Sequence, residues 1–304
     1  MRNAFINELI HQARVNPGVF LVVGDLGYSV IEPFAREFPD RFLNAGVAEQ
    51  NMTGVAAGLA SEGWHVFTYS IANFPTFRCA EQVRNDIAYH RLPVTVVAVG
   101  GGLAYGNLGY SHHAVQDFAL VRAFPGMLVA APGDPLEVCA CLRYLAMHPQ
   151  PSYLRLGKAG EAAVHASDVA VEPGRLVSFA DQVKAPSLLL TTGATLKMAH
   201  SIWKTLPAGQ WHLASLPLWA EHAKKQIVEE VSNFSRIVTV EDHLRAGGFG
   251  SYLQEALADA GKMIPVHALT LSAAVCDEVA AQAVLNAKGG LSGERLRALL
   301  GATD

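Results

Sequence analysis

The feature that most constrains this chain is a repeated alternation. From residue 3 to about 165, a short apolar or β-branched run is followed by a turn rich in Gly, Asp or Pro, and then by a stretch of helical period. The pattern predicts strands at 19–23, 64–69, 94–99, 127–131 and 152–156, separated by helices at 48–61, 80–90, 114–123 and 135–148. The last of these opens Gly133-Asp134-Pro135, an N-cap followed by proline at the first helical position. Strands that alternate with helices are joined by crossovers, which makes a parallel sheet covered on both faces. A more polar stretch, 166–184, breaks the rhythm before a second alternation begins, with strands at 187–191, 211–215, 236–241 and 266–271 and helices at 194–206, 220–231 and 250–260. An amphipathic segment at 291–300 closes it. The expected fold class is α/β in two domains: a parallel-sheet domain over 1–165, a linker over 166–184, and a smaller α/β domain over 185–304.

Composition narrows the partners. Hydrophobic residues make up 51% of the chain and charged residues only 16%, against a typical charged share of about 25%, which excludes disorder and favours broad protein–protein contact. Twenty-three Lys and Arg face 27 Asp and Glu, for a formal charge of −4, and no basic run could track a phosphate backbone. Nucleic acid is therefore not an expected partner. No apolar run approaches the roughly 18 residues that span a bilayer, so no membrane partner is expected. The opening MRNAFINELIHQA fits an amphipathic helix better than a secretion signal. The four cysteines, Cys79, Cys139, Cys141 and Cys276, form no C-x-x-C pair and lack His at zinc spacing. They read as buried thiols of a reduced, cytoplasmic protein, and no metal site is expected on this chain.

Stock motifs are absent. The sequence holds no G-x-G-x-x-G after a strand, no G-x-x-x-x-G-K-[ST], no G-x-S-x-G and no H-E-x-x-H. In open α/β sheets, ligands bind beyond the carboxyl ends of the strands, so the loops there carry the chemistry. Four stand out: Gly24 to Ser29; Asn44 to Asn51, with Glu49 at the start of a helix; Phe74-Pro75-Thr76-Phe77-Arg78; and a glycine-rich loop from Gly100 to the paired His112 and His113. Each has a bland reading as well. An acid in a first helical turn is stabilised by the helix dipole, aromatics before a helix belong to many cores, a lone histidine can be a satisfied interior group, and glycine loops are commonly turns.

Order and spacing together go further. GDLGYS, NAGVAEQNMTGVAAGLA, FPTFRCAEQVRNDIAYHRLPV, GLAYGNLGYSHHAVQDFALVRAFPGMLVAAPGDPLE, PSYLRLGKAG and TVEDHLRAGGFGS occur in that sequence. Over essentially the whole chain they resemble the carboxyl-terminal part of transketolase. The likeness is greatest to the second subunit of a split transketolase, in which a thiamine-pyrimidine-binding domain and a transketolase C-terminal domain share one polypeptide. Deoxyxylulose-phosphate synthase and the β subunits of 2-oxo acid dehydrogenases share the layout more distantly.

The resemblance implies thiamine diphosphate as cofactor and assigns roles. Glu49 matches the acid that exchanges a proton with the pyrimidine ring nitrogen, and so is a catalytic candidate. Phe74 and Phe77 are the candidates for stacking on the pyrimidine, within a cofactor-binding segment running from Tyr69 to Arg78. Asp25 matches an acid near the cofactor and the subunit interface. His112 matches a histidine that hydrogen-bonds sugar oxygens, and so is both a catalytic and a substrate-binding candidate, with His113 beside it as a further substrate candidate. Arg2, Ser29 and Lys158 match positions that bind the acceptor phosphate, the last being arginine in most transketolases; lysine keeps the charge and loses the bidentate geometry.

Three departures bear on the substrate. Gly100 stands where transketolases carry a second phosphate-binding histidine, Leu108 where they carry an aspartate that reads a sugar hydroxyl, and His113 where they carry glutamine. Losing a hydroxyl-reading carboxylate weakens discrimination for ordinary phosphopentoses, which implies an atypical sugar donor or acceptor. The family also holds the cofactor's diphosphate and its Mg²⁺ (or Ca²⁺) with a G-D-G motif followed by asparagine, and this chain contains no G-D-G. The resemblance therefore implies a partner, the N-terminal transketolase subunit that carries that motif, in an α2β2 assembly acting on small sugars. Two other readings stay open: a β-type component of a 2-oxo acid decarboxylating or acyloin-forming enzyme, and a non-catalytic transketolase-like scaffold.

Overall fold

A computed structural model describes residues 1–158, 160–179 and 185–301. Residues 180–184 of the expected linker and 302–304 of the expected second domain lie outside the described residues.

The first sheet has seven strands: β1 (Val19–Val23), β2 (Phe42–Asn44), β3 (His65–Ile71), β4 (Val94–Val99), β5 (Leu128–Ala130), β6 (Ser152–Leu156) and, from far along the chain, β10 (Leu218–Trp219). Their order is β10-β5-β6-β4-β3-β1-β2, and every pairing is parallel except β10 with β5. β1 and β4 are unbroken runs of Val, Phe, Leu, Thr and Ala because both faces are covered. Helices Arg2–Val15 and Pro135–Met147 cover one face, where Phe5, Leu9, Phe67, Tyr69 and Leu142 pack together. On the other face, helix Glu49–Ser61 brings Met52 and Ala56 against Val22, Val66 and Val96. The expected cap forms: Asp134 Oδ1 accepts from the amides of Leu136 and Glu137 at 3.0 and 2.8 Å.

The second sheet has five strands, β7 (Val177–Ser178), β8 (Ser187–Thr191), β9 (Trp211–Ser215), β11 (Arg236–Leu244) and β12 (Val266–Leu271), in the order β12-β11-β8-β9-β7. Only β7 runs antiparallel. The α/β class therefore holds in both halves.

Several local expectations change. The stretch 166–184 is not purely a linker, since β7 pairs Val177 with Ser215 inside it. β10 crosses in the other direction and caps the first sheet. The single helix expected at 80–90 is an α-helical turn, Ala80–Gln82, running into a π-helix, Val83–Ala88. Of the four cysteines, all free, Cys79 and Cys141 are buried, while Cys139 and Cys276 are half-buried.

A buried charge cluster joins the two halves directly beneath the glycine-rich loop. Arg155, on β6, donates to Asp117 Oδ2 at 2.7 Å and to Asp242 Oδ1, on β11, at 2.5 Å, and also to the carbonyls of Ala114 and Asp242. Tyr153 adds a hydroxyl donor to Asp117 at 2.7 Å. Paired and hydrogen-bonded in this way, the charges are tolerable in a low-dielectric interior; removing one partner costs about 3–5 kcal/mol. Gly101 and Gly102 leave room for the cluster, because a Cβ on either would strike Arg155 or Asp242.

Candidate active site

Glu49 owes its place to the loop before it. Asn44, at the end of β2, accepts from the amides of Asp25 and Gly46 through Oδ1 and donates to Asp25 Oδ1 at 2.9 Å. Asp25 itself adopts a left-handed conformation, φ 53°, which its short polar side chain makes tolerable. The knot directs the chain into helix Glu49–Ser61 with Glu49 as its first residue. The Glu49 residue is buried at 4% exposure, and Arg78 Nη1 donates to its Oε2 at 3.3 Å. Asp25 thus acts on this site by bracing the loop that leads to Glu49.

Phe74 and Phe77 lie on and just after the short helix Asn73–Thr76, at the carboxyl end of β3. They line a cavity of about 460 Å³ together with Arg78 and Tyr110. Arg78 also walls the neighbouring cavity that contains Glu49, and its guanidinium carbon sits 3.9 Å above the Phe74 ring. The acid and the two aromatics therefore meet across a single half-exposed side chain.

Tyr69 is a correction. It lies within β3, where alternate side chains face opposite ways. Ser70 and Gly24 face Glu49 and Met52, so Tyr69 faces the other side and stacks on Phe5 with ring centroids 5.6 Å apart. It is fully buried away from Phe74, and cannot serve in the pyrimidine shelf.

The loop 100–113 is bound to that shelf by Asn73, a residue that no sequence signal singles out. Its Nδ2 donates to the carbonyls of Tyr110, Ser111 and His113, the latter two at 3.0 and 3.1 Å. His112 is thereby brought edge-on to Phe74, centroids 5.1 Å apart, and Ser111 Oγ lies 3.0 Å from its Nδ1. Burial, then the charge of Arg78 and the neighbouring His113, push the His112 pKa down, so its ring is neutral near pH 7 and can either accept or donate. His113 is a second correction to the expected substrate contacts. Its side chain is fully buried and its Nε2 lies 3.2 Å from the Gly106 carbonyl, so it braces the loop from inside. Leu108 is half exposed at the loop's outer edge, where Gly109 approaches Val279.

Of the three expected phosphate-binding residues, two converge. Arg2 lies beside Tyr69, whose hydroxyl pKa burial pushes up to about 12 while Arg2 opposes the shift. Lys158 Nζ lies 5.0 Å over the ring of Tyr105, which in turn adjoins Tyr69 closely enough to raise its pKa further. Ser29 is exposed in a left-handed turn, φ 63°, with its amide donating to Glu32 Oε1 at 2.7 Å. Gly100 has a physical reason to lack a side chain: its φ is +82°, and a Cβ there would lie 2.1 Å from Tyr105 Cε2. Nothing in the periodicity links residue 105 to residues 100 and 158, so Tyr105 was not legible as a site residue. Among the described residues no group of three or more His, Cys, Asp or Glu could hold a metal ion, and no helix is long and apolar enough to cross a membrane.

Comparison with known proteins places this geometry. Residues 1–160 match the transketolase pyrimidine-binding domain and residues 181–295 the transketolase C-terminal domain. One of the subunits of an apulose-4-phosphate transketolase from Phocaeicola vulgatus is 33% identical over 268 residues, covering 85% of this chain and 83% of that protein. A putative transketolase C-terminal section from Methanocaldococcus jannaschii is 34% identical over 272 residues, covering 86% and 83% respectively. Among solved structures, a split-gene transketolase described as an inactive β4 tetramer superposes with a TM-score of 0.84 at 30% identity, covering 99% of this chain and 96% of that one. The chain belongs to the transketolase family and joins its pyrimidine-binding and C-terminal domains in one polypeptide.

Proposed function

We propose that this protein is the pyrimidine-gripping component of a thiamine diphosphate-dependent transketolase, which moves a two-carbon ketol unit from a ketose donor to an aldehyde or aldose acceptor. One observation carries the reading: the buried Glu49 carboxylate opens toward a space walled by Phe74, Phe77 and Arg78. A flat heteroaromatic ring needs an aromatic surface to rest on and, for this chemistry, an acid shielded from water. Both are present, so the residues fit the group.

When bound, thiamine diphosphate supplies the nucleophilic carbon that breaks and makes the carbon–carbon bond. Glu49 would exchange a proton with the pyrimidine nitrogen from a pocket in which no bulk water competes. Phe74 and Phe77 would hold the ring, with Arg78 swinging off the Phe74 face to admit it. His112, neutral and edge-on to Phe74, would hydrogen-bond the sugar oxygens nearest the reacting carbons. Arg2 and Lys158 would hold the anionic end of the sugar.

The diphosphate and its Mg²⁺ or Ca²⁺ would be held by a second polypeptide bearing the G-D-G motif, the active site lying between the two in an α2β2 assembly in the cytoplasm. Two relatives support that division of labour, one named as a single subunit of its transketolase and one described as an inactive β4 tetramer of a split-gene transketolase. Exposed apolar side chains around the site, Tyr28, Val47, Phe77 and Tyr110, suit a face covered by another chain. The substrate is atypical in this reading, because Leu108 and Gly100 replace polar groups that read ordinary phosphopentoses; two relatives are named apulose-4-phosphate transketolases, another departure from the ordinary pentoses. The test is reconstitution with the candidate partner. Cofactor-dependent formation of a shortened aldose supports the proposal, and CO₂ release from a 2-oxo acid would replace it. Ordinary transketolase efficiency on xylulose 5-phosphate with ribose 5-phosphate would contradict the atypical substrate.

A further inference from the structure

Around the root of the glycine-rich loop, donors outnumber acceptors. Arg2 has a buried Nε with no hydrogen-bond partner, and the Tyr69 hydroxyl beside it is also buried and unbonded. Orphaned buried donors each cost about 1–3 kcal/mol, so a pair of them beside the Lys158 ammonium is built for an acceptor that arrives from outside, and the two cations make that acceptor an anion.

Tyr105 stands between this cluster and the sugar-facing histidine. Lys158 Nζ lies 5.0 Å over one side of its ring, and the His112 ring is 6.4 Å away, edge-on. The ring rests on the bare backbone of Gly100, where any Cβ would collide with it, so its position is dictated from below as well. A rigid aromatic with two torsions, wedged on backbone, holds its place far better than a flexible polar chain would.

We infer that Tyr105 is a specificity-determining residue: its ring fixes the separation between the carbonyl end of an aldose phosphate at His112 and the anionic end at Arg2, Tyr69 and Lys158, and so selects the length of the acceptor. The inference rests on the ketol-transfer reading above and adds to it the residue that measures the substrate. Ring removal opens the space above Gly100 and lets longer acceptors settle.

The test uses the reconstituted complex, with a three-carbon and a five-carbon aldose phosphate (glyceraldehyde 3-phosphate and ribose 5-phosphate) as probes. Both kcat/KM and direct calorimetric binding are measured for the wild type, Tyr105→Ala, Tyr105→Phe and Lys158→Ala. Tyr105→Ala is expected to raise the five-to-three-carbon ratio by about tenfold, about 1.4 kcal/mol of discrimination, and Tyr105→Phe to keep the wild-type ratio. Lys158→Ala is expected to weaken both ligands together and leave the ratio unchanged. A ratio within twofold of wild type in Tyr105→Ala overturns the inference, as does a Lys158→Ala variant that binds both phosphates as well as the wild type. Tyr105→Leu, which keeps bulk at the position, replaces the alanine variant if that one fails to melt cooperatively. A wild-type complex that binds both probes yet transfers nothing contradicts the proposed reaction instead, and the calorimetric ratio then still decides the role of Tyr105.

Discussion

Arg78 holds two parts of the site at once: its Nη1 donates to Glu49 at 3.3 Å while its guanidinium carbon lies 3.9 Å above the Phe74 ring. The Arg78 side chain is 52% exposed and the Glu49 side chain 5%. The pair is therefore too wet to contribute much stability, about 1 kcal/mol or less, yet it orients an otherwise buried carboxylate. Arg78→Met is expected to lower turnover of the reconstituted enzyme about tenfold while barely moving the melting temperature. A large loss of stability with normal turnover would show that the pair serves the fold instead.

The two shelf aromatics differ in support. Phe74 is half-buried and carries both Arg78 and the edge of His112, whereas Phe77 is 41% exposed. Alanine at either position is expected to weaken thiamine diphosphate binding to the complex. The loss at Phe74, about tenfold or more, should exceed that at Phe77, because aromatic contacts are worth about 0.5–1.5 kcal/mol each beyond the area they bury. Titration calorimetry reads both, and unchanged affinity in both variants would place the pyrimidine elsewhere.

Asn73 ties the carbonyls of Tyr110, Ser111 and His113 to the end of β3. Asn73→Ala leaves them without that donor and should cost about 1–3 kcal/mol. Its more telling effect is local: the amides of residues 110–113 should lose protection from hydrogen exchange, and KM for the sugar should rise more than kcat falls. Unchanged exchange in the loop would remove Asn73 from the positioning role.

Acid stability should be limited by His65. The ring is buried in β3 with Nε2 3.2 Å from Thr95 Oγ1, and burial lowers its pKa to about 4. The unfolded chain binds the proton first, near pH 6.5, so stability falls as pH drops from about 6.5 toward 4, by about 3 kcal/mol in all. Denaturant midpoints at pH 7.5 and 4.5 measure this, with His65→Gln expected to flatten the dependence. An equal loss in the variant would assign the acid sensitivity to other groups.

Much of this molecule was legible because burial and period coincide. β1, β4, β6, β8, β9 and β12 fall on the expected residues, each an apolar-rich run bounded by a turn. β2, β7 and β10 are only two or three residues long, too short to show a period, and β7 and β10 exist through tertiary pairing across the expected linker. The helix at Ala80 converts to a π-helix at Val83, which no apolar spacing announced. In the site, Glu49 and Phe74 were readable because each occupies a defined end of an element. Tyr69 was misplaced because a segment-level likeness ignores the alternation of β3. His113 and Tyr105 depend on contacts with Gly106 and Gly100, where the identity of the partner is the absence of a side chain, and that leaves no pattern to read.

The most direct test of Glu49 is the rate at which the hydrogen on the reactive carbon of bound thiamine diphosphate exchanges with deuterium, measured for the wild-type complex and for Glu49→Gln. The amide preserves size and hydrogen bonding but has no acidic proton to exchange with the ring. Exchange slowed by about 10²–10⁴-fold, with cofactor affinity near that of the wild type, is the predicted result; exchange at the wild-type rate in the glutamine variant would contradict the account.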